Sequence, residues 1–522
     1  MVSGTDFHGT PITVKAEQEK KKPLELARAF HKLDKEYLNK FFIEYTHYTS
    51  THTPVHKRVV QNFFLRMLKR GFISVKKTEQ LYSPKAKRFL QDRYIEGECP
   101  YCHFKSARGD QCEKCGRVLD ALELINPVSK IDSSALVKKE TENYFFEIGK
   151  LQKEIKKWLL SKKGFKEWVK KESLGWIKEG LKARAITRDL DYGIPLPYSK
   201  IPKRFRIKKA RSKVFYVWFE AVIGYLSAAI EYSQKIKRKN YWRDFFYDKK
   251  AESYYFVGQD NLLFHTIIWP AQLLAYDQKI NLPSNVFVNK FLLLENEKMS
   301  KSRKWYIETP YLLENYPAES VRFYLIYNMP EEKEFNFTWS DFVRTNNNIL
   351  VGKVGNFIHR VLVLANKNFS GNFVLSGSEL SPAIRSKISQ TYKKTAQFLE
   401  KGRFRFGLWQ IINLAEFGNK YLEEKELWKK IKENPEKGKK ELLNCLFIVE
   451  AFSLLLYPFL PQSAKKLRSL LGLKKISFKK GKDLWRAEEG RIKIKISQEI
   501  SPLFLKIDEK AAQKEEEKLN KK

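Results

Sequence analysis

Acidic residues are scarce: 60 Asp and Glu face 99 Lys and Arg, giving a formal charge of +39 and a pI near 9.7. Such a deficit points to a polyanionic partner, nucleic acid first and an anionic membrane surface second. Cysteine is scarce too, five in 522 residues, which excludes a disulfide scaffold and favours a reducing compartment. Long uninterrupted apolar runs are absent. The two segments that approach membrane length are broken, one by Glu220 and the other by Asn444, Glu450 and Pro458, so both read as buried elements with no membrane partner. The opening Met1-Val2-Ser3-Gly4-Thr5-Asp6 carries no basic stretch followed by an apolar one, so no secretory signal is expected and the location is read as cytoplasmic. Neither Gly-x-Gly-x-x-Gly nor Gly-x4-Gly-Lys-Ser/Thr occurs, which excludes the common dehydrogenase and P-loop readings.

What is present is a globular composition, 43% hydrophobic and 30% charged, long enough for two to four domains. Residues 1–75 run from a strand-like start into helical stretches, and 78–132 are turn-rich. From Asn143 to Gly180 apolar residues recur at helical spacing (Leu151, Ile155, Trp158, Leu159). Residues 207–294 alternate short β-rich runs with helical ones, the rhythm of a parallel α/β sheet. Asp341 to Leu471 reads as a helix bundle with few strand signals, and Asp508 to Lys522 as a charged helical or frayed tail.

Four of the five cysteines form two close pairs, Cys99-x2-Cys102 and Cys112-x2-Cys115. Each pair can turn both sulfurs toward one ion, and four soft ligands suit tetrahedral Zn2+. With every ligand supplied by protein the site is closed, hence structural. Cys445, in an apolar helical run, is expected to be inert core.

Lys298-Met299-Ser300-Lys301-Ser302 follows an apolar run and a turn. Two lysines and two hydroxyls on such a loop could close over a triphosphate; in so lysine-rich a chain the pentapeptide alone could equally be a solvated loop. Upstream, Phe256-Val257-Gly258-Gln259-Asp260-Asn261 runs from a strand into Gly and Asp. Gly258 would let backbone approach a ligand, and Asp260 at a strand end could hold ribose hydroxyls. His265 alone reads as a satisfied core residue.

Taken in order, these segments resemble the methionyl-tRNA synthetases, class I enzymes of the archaeal and eukaryotic type. The resemblance rests on Gly4-Thr5-Asp6-Phe7-His8-Gly9-Thr10-Pro11-Ile12, Thr187-Arg188-Asp189-Leu190-Asp191-Tyr192-Gly193, Val214 to Tyr225, Phe256 to Pro270, the Lys298–Ser302 loop and Asn346 to Arg360. It implies an α/β fold: an incomplete class I Rossmann-type domain with an inserted zinc-knuckle connective domain, followed by an all-α anticodon-binding bundle. The implied boundaries are 1–77 and 141–310 for the two parts of the catalytic domain and 78–140 for the insertion. A linker (311–345), the bundle (346–505) and a tail (506–522) follow. The implied reaction joins methionine to ATP's α-phosphate and then to the terminal adenosine of tRNA(Met). On this resemblance Asp6 holds the substrate ammonium, while Trp218, Ala221, Tyr225 and His265 line the methionine pocket. Gly258, Asp260, Lys298, Ser300 and Lys301 serve ATP with Mg2+, the two lysines as catalytic groups. Glu220 and Val222 depart from the usual Asp and Pro or Thr. In the bundle, Asn356 and Arg360, one helical turn apart, and Trp428 match the residues with which the family reads the anticodon; Gly352 and Leu427 replace a usual Asn and Pro.

The family's His-x-Gly-His motif is absent from these 522 residues, since none of the eight histidines follows a glycine. The expectation is a fragment or the larger part of a split enzyme, little active without a segment carrying that motif, which a separate polypeptide could supply. The competing expectation is a noncatalytic tRNA-binding protein. A second knuckle, common in the family, would need cysteines where Ser83, Ala86, Ser129 and Asp132 stand, so one zinc is expected and not two.

Overall fold

A computed structural model describes residues 1–522 apart from 91–93, 110–111, 113, 116–118, 209, 301–303, 475–490 and 521–522. The chain divides into two compact units: Met1–Glu36 with Glu44–Phe287, and Tyr37–Ile43 with Val288–Lys522.

In the first unit the strand Val2–Thr5 pairs in parallel with His47–Ser50. Gly4 is required there, because a Cβ would stand 2.6 Å from the Thr49 carbonyl oxygen. The helix Pro54–Lys69 begins where Thr53 accepts a hydrogen bond from the His56 amide and Pro54 fixes the first turn. It buries Val60, Phe63, Phe64 and Met67 against Gly224–Lys235 and Trp269–Tyr276; Phe63 stacks on Tyr276 at 4.0 Å. Where the sequence suggests only turns across 78–132, the structure builds a long antiparallel pair, Ile73–Ser83 with Val137–Phe146, in unbroken register from Ile73↔Phe146 to Tyr82↔Val137. Its lysine- and glutamate-rich outer half hides the strand signal, since a two-stranded ribbon in solvent needs no apolar alternation. Beyond the ribbon lies a small sheet of Ile95–Glu98, Ala107–Arg108 and Ile125–Ser129 that carries the cysteines.

The second unit is largely helical and has two hydrophobic cores, the larger of them inside the helix bundle. The helix Trp339–Phe369 is long and apolar enough to cross a membrane by length and composition; its Leu350, Val354, Phe357 and Val361 lie in that core. Its middle, Asn346–Gly355, is a π-helix, held where Asn346 and Asn347 donate to the Leu505 and Ile507 carbonyls at 3.0 and 2.8 Å. Around it pack Pro382–Glu400, Phe404–Glu424, Pro435–Leu455 and Pro461–Leu470. One feature differs from the sequence-based expectation. A strand, Asn372–Ser376, pairs with Arg491–Lys495, two segments too far apart in sequence for any local pattern to report. Of the two expectations for the tail the helical one holds: Lys510–Asn520 is a helix whose Ala512 and Leu519 are buried, and Glu515 accepts hydrogen bonds from Tyr311 (2.5 Å) and Tyr316 (3.1 Å). Cys445 is core, as expected.

Candidate active site and nucleic-acid interface

A cavity of about 720 Å3 opens in the first unit. Asp6, Trp218, Ala221 and Val222 line it, together with Arg188 and Phe264. Asp6 follows directly on the strand Val2–Thr5, and one carboxylate oxygen accepts the His8 amide at 3.1 Å. Desolvation by the surrounding protein, helped by Glu220, pushes this carboxyl up to about 6, although the cavity keeps it partly wetted. Trp218 is half exposed to the cavity and meets Phe264 edge-on at 5.2 Å. Arg188, quoted in the sequence only as part of a motif, lies over the Tyr216 ring at 4.2 Å.

Tyr225 and His265 form a pair of their own, 2.8 Å apart, outside the residues that line the cavity. The His265 Nδ1 lies 2.9 Å from the Asn261 carbonyl oxygen, which can only accept; Nδ1 therefore carries the proton, and Tyr225 donates to Nε2. Burial pushes the imidazole down to about 4, so it is neutral at physiological pH. Both polar ends are spent on protein partners, which leaves ring surface as the remaining chemistry.

Behind Asp6 stands a cluster that no sequence motif announces. Glu220 is fully buried and receives His8 Nδ1 at 2.9 Å and His56 Nε2 at 2.6 Å. Burial pushes the carboxyl up, but the two imidazole hydrogen bonds outweigh it and hold it below the ordinary range. His56 Nδ1 sits 2.8 Å from Ser227 Oγ, whose proton already goes to the Gly224 carbonyl at 3.0 Å. Both nitrogens of His56 are thus engaged, Nε2 donating to the Glu220 carboxylate and Nδ1 facing the Ser227 hydroxyl. His8 Nε2 continues to His52 Nδ1 at 3.0 Å, at the surface. The departure from Asp to Glu at position 220 was the available signal. The longer side chain spans two imidazoles that are remote in sequence.

Gly258 ends the strand Tyr254–Gly258 and Asp260 lies in the following turn. A Cβ on Gly258 would stand 2.7 Å from Asp260 Oδ1, so glycine lets the carboxylate fold back over the strand end. In the second unit, Lys298 lies in a hairpin with Leu293, its ammonium 5.5 Å from the Phe291 ring, and Ser300 exchanges backbone hydrogen bonds with Trp305 at 2.8 and 2.9 Å. Lys301 and Ser302 lie outside the described residues.

The four cysteines converge, their sulfurs all within 4.8 Å of one another. Cys99–Cys115 and Cys102–Cys112 are 3.9 and 3.6 Å apart. A tetrahedron with Zn–S bonds of ~2.3 Å has edges of about 3.8 Å, so the set fits that ion. The four positions that would make a second knuckle hydrogen-bond instead: Ser83 accepts the Ala86 amide at 3.0 Å, Ser129 the Ile131 amide at 3.3 Å, and Asp132 the Ser134 amide at 3.2 Å. Lys85 faces Asp132 at 3.6 Å.

In the bundle, the Arg360 guanidinium lies 5.5 Å over the Trp428 ring and 3.7 Å from Glu423. Asn356 is exposed one turn earlier on the same helix. Trp428 is 42% exposed, whereas its neighbour Leu427 is wholly buried. An exposed indole beside a guanidinium offers a stacking surface for a base. A Cβ at Gly352 would approach the Asn347 carbonyl oxygen at 3.1 Å, a tight fit produced by the π-helical turn.

Residues 1–362 match the family model of class I tRNA synthetases (M), and 376–520 match that of the anticodon-binding domain of methionyl tRNA ligase. The methionine–tRNA ligase of Pyrococcus furiosus is 38% identical over 487 residues, 91% of this chain and 66% of that protein. That of Sulfurisphaera tokodaii is 38% identical over 518 residues, 97% and 87%. The chain thus spans about two thirds of the length of the Pyrococcus relative and more of the other. In solved structures, Mycobacterium tuberculosis methionyl-tRNA synthetase bound by methionyl-adenylate shares the fold, with a TM-score of 0.74 and 21% identity over 97% of this chain and 92% of that one. The class I synthetase fold, the paired histidine–tyrosine and histidine–glutamate groups, and these matches lead to one assignment: the chain belongs to the methionine–tRNA ligase family of class I aminoacyl-tRNA synthetases.

Proposed function

We propose that the protein activates methionine with ATP and passes the methionyl group to tRNA(Met). The observation that carries this reading is the cavity in which Asp6 stands among Trp218, Ala221 and Phe264. An α-ammonium pairs with the Asp6 carboxylate, and a thioether fills an aromatic wall that offers shape and polarizable contact. Tyr225 and His265, which the family resemblance sets at the methionine pocket, form a neutral pair held by the Asn261 carbonyl and bring no charge to it. Ammonium binding favours the ionised form of Asp6 and offsets its desolvation.

Gly258 and Asp260 take the adenosine; Lys298, Ser300 and Lys301 take the phosphates, with Mg2+ arriving as ATP's own counter-ion. Positive charge there neutralises what builds up on the α-phosphate during attack. Asn356, Arg360 and Trp428 read the anticodon. One structural Zn2+, held by Cys99, Cys102, Cys112 and Cys115, ties the connective tip; it adds four bonds to the small core that includes Ile95, Ala107, Leu119 and Leu124. The cytoplasm is the compartment in which four free thiolates and a tRNA substrate coexist.

The test is methionine-dependent ATP–pyrophosphate exchange, then charging of tRNA(Met), measured on the chain alone and with a segment carrying His-x-Gly-His added. Exchange specific for methionine over leucine and isoleucine is expected in at least one arm. No exchange in either arm, with tRNA binding retained, would give the noncatalytic reading the field.

A further inference from the structure

Between Asp191 and Glu220 the sequence has no acidic residue and a dense run of cations. The structure shows what this run does. Lys200, Lys203, Arg204, Arg206, Lys208 and Arg211 are all exposed, while Ile201, Ile207 and Ala210 are buried beneath them. The loop is therefore anchored and not a loose basic tail. Its backbone is tied down twice: the buried Tyr144 donates its hydroxyl to the Phe205 carbonyl at 2.7 Å, and the Lys208 amide donates to Glu142 at 2.9 Å. Arg206 is fixed as well, its Nε donating to the Ile201 carbonyl at 2.9 Å. The guanidinium groups of Arg206 and Arg211 lie 5.0 and 4.9 Å over the same ring, Tyr198. Two arginines on one aromatic are held in place before any ligand arrives, which reduces the side-chain entropy that a phosphate contact must overcome. One nearby carboxylate is already engaged: Asp189 is bonded to the buried Lys213 at 2.5 Å.

The position of the loop matters as much as its charge. It leaves from Thr187–Arg188 and returns at Val214–Phe215, two strands paired with each other. Arg188 on the outgoing side and Tyr216, Val217 and Trp218 on the returning side all line the cavity. The cationic surface thus springs from the wall of the site where the reaction is placed, in the same unit.

We propose that this loop is a phosphate-gripping surface for the acceptor arm of the tRNA, guiding the strand that must enter the cavity; this rests on the proposed function above and extends it. Two placed arginines among exposed lysines, on an anchored backbone, suit phosphate contacts that position without reading sequence. The Tyr198 ring is covered by its two arginines, so base stacking is not what it offers.

The test uses a triple variant, Lys203→Gln, Arg204→Gln and Lys208→Gln, at exposed side chains that take no part in the loop's anchoring hydrogen bonds. Binding is measured against native tRNA(Met), an acceptor-stem minihelix and an isolated anticodon stem-loop, over a range of salt. Adenylate formation requires no tRNA and is the control for folding and for the underlying reading. The expected result is unchanged exchange, at least about tenfold weaker binding of tRNA and minihelix, and unchanged binding of the anticodon stem-loop. The slope of log affinity against log salt should become shallower by about 0.7–0.9 for each phosphate no longer neutralised, or about 2–3 for the triple variant. Unchanged exchange with unchanged minihelix affinity and slope would overturn the proposal. So would weakened binding to phosphatidylserine vesicles alone, which would assign the loop to a membrane surface. A parent protein that forms no adenylate but loses minihelix affinity on substitution would overturn the catalytic reading and keep this one.

Discussion

Replacing Glu220 by alanine and by glutamine should give two quite different proteins, although both substitutions remove the same carboxylate. Glu220→Ala leaves His8 Nδ1–H and His56 Nε2–H facing a void, in a site with no exposure on Glu220 or His56. Breaking a buried pair from one side costs about 3–5 kcal/mol, consistent with two orphaned donors at about 1–3 kcal/mol each. Glu220→Gln behaves differently. Its amide oxygen still accepts from His8, and its NH2 can donate to His56 Nε2 when the ring carries its one proton on Nδ1, facing Ser227. Every hydrogen bond is kept and only the charge assistance goes, about 1 kcal/mol for each of two bonds, or roughly 2 kcal/mol in all. Urea unfolding at pH 7, followed by tryptophan fluorescence, reads both. Acid gives a second signature. The folded-state pKa of Glu220 lies below its unfolded value, so its contribution is complete above the unfolded value and is lost as pH falls through the lower folded one. The parent should therefore lose stability below about pH 4.5 more steeply than the Gln variant does. Equal stabilities of the Ala and Gln variants, or identical acid limbs for parent and Gln variant, would refute this reading of Glu220.

Four further outcomes are expected. Methionine affinity should fall as pH drops through about 6, where Asp6 takes up its proton, and Asp6→Asn should bind weakly at every pH; titration calorimetry between pH 5 and 8 decides, a flat parent profile counting against Asp6 as the ammonium partner. Tyr225→Phe strips the donor from His265 Nε2 and should cost about 1–3 kcal/mol of stability by urea unfolding, with a raised KM for methionine in exchange assays. Metal analysis should give one zinc per chain, and Cys112→Ser should lose both the zinc and the protease resistance of the 95–129 region, because the Ser83, Ala86, Ser129 and Asp132 turns already close on hydrogen bonds. Trp428→Ala should cost about 1–3 kcal/mol for tRNA with the CAU anticodon and much less for anticodon-mutated tRNA, by filter binding; equal loss for both would remove Trp428 from the reading of the anticodon.

Local pattern carried a good deal of this. The two Cys-x2-Cys pairs close on one point because a knuckle's geometry is set within a few residues. The periodicity of Phe357, Ile358, Val361, Leu362 and Ala365 marks the buried face of a helix that forms as read. The ordered motifs announced the family, since six chemically peculiar segments in one order leave few folds that could hold them. The long ribbon Ile73–Ser83 with Val137–Phe146 was not legible, because strand pairing across a large insertion is decided by which edges meet and not by either segment's composition. Nor was the pairing of Asn372–Ser376 with Arg491–Lys495.

By itself the sequence determined the make-up of the four-cysteine cluster, the helical character of the second half and the family to which the chain belongs. Only the tertiary structure decided that His8, His56 and Glu220 share protons, that Arg360 lies over Trp428, and that the cations after Asp191 form an anchored surface springing from the cavity wall. The physical reason is range. Torsional preference and apolar periodicity act over a few residues and are written in the order of side chains. Hydrogen bonds and charge pairs between groups as distant as His8 and Glu220 exist only once burial has brought them together and removed the water that would otherwise satisfy each one separately.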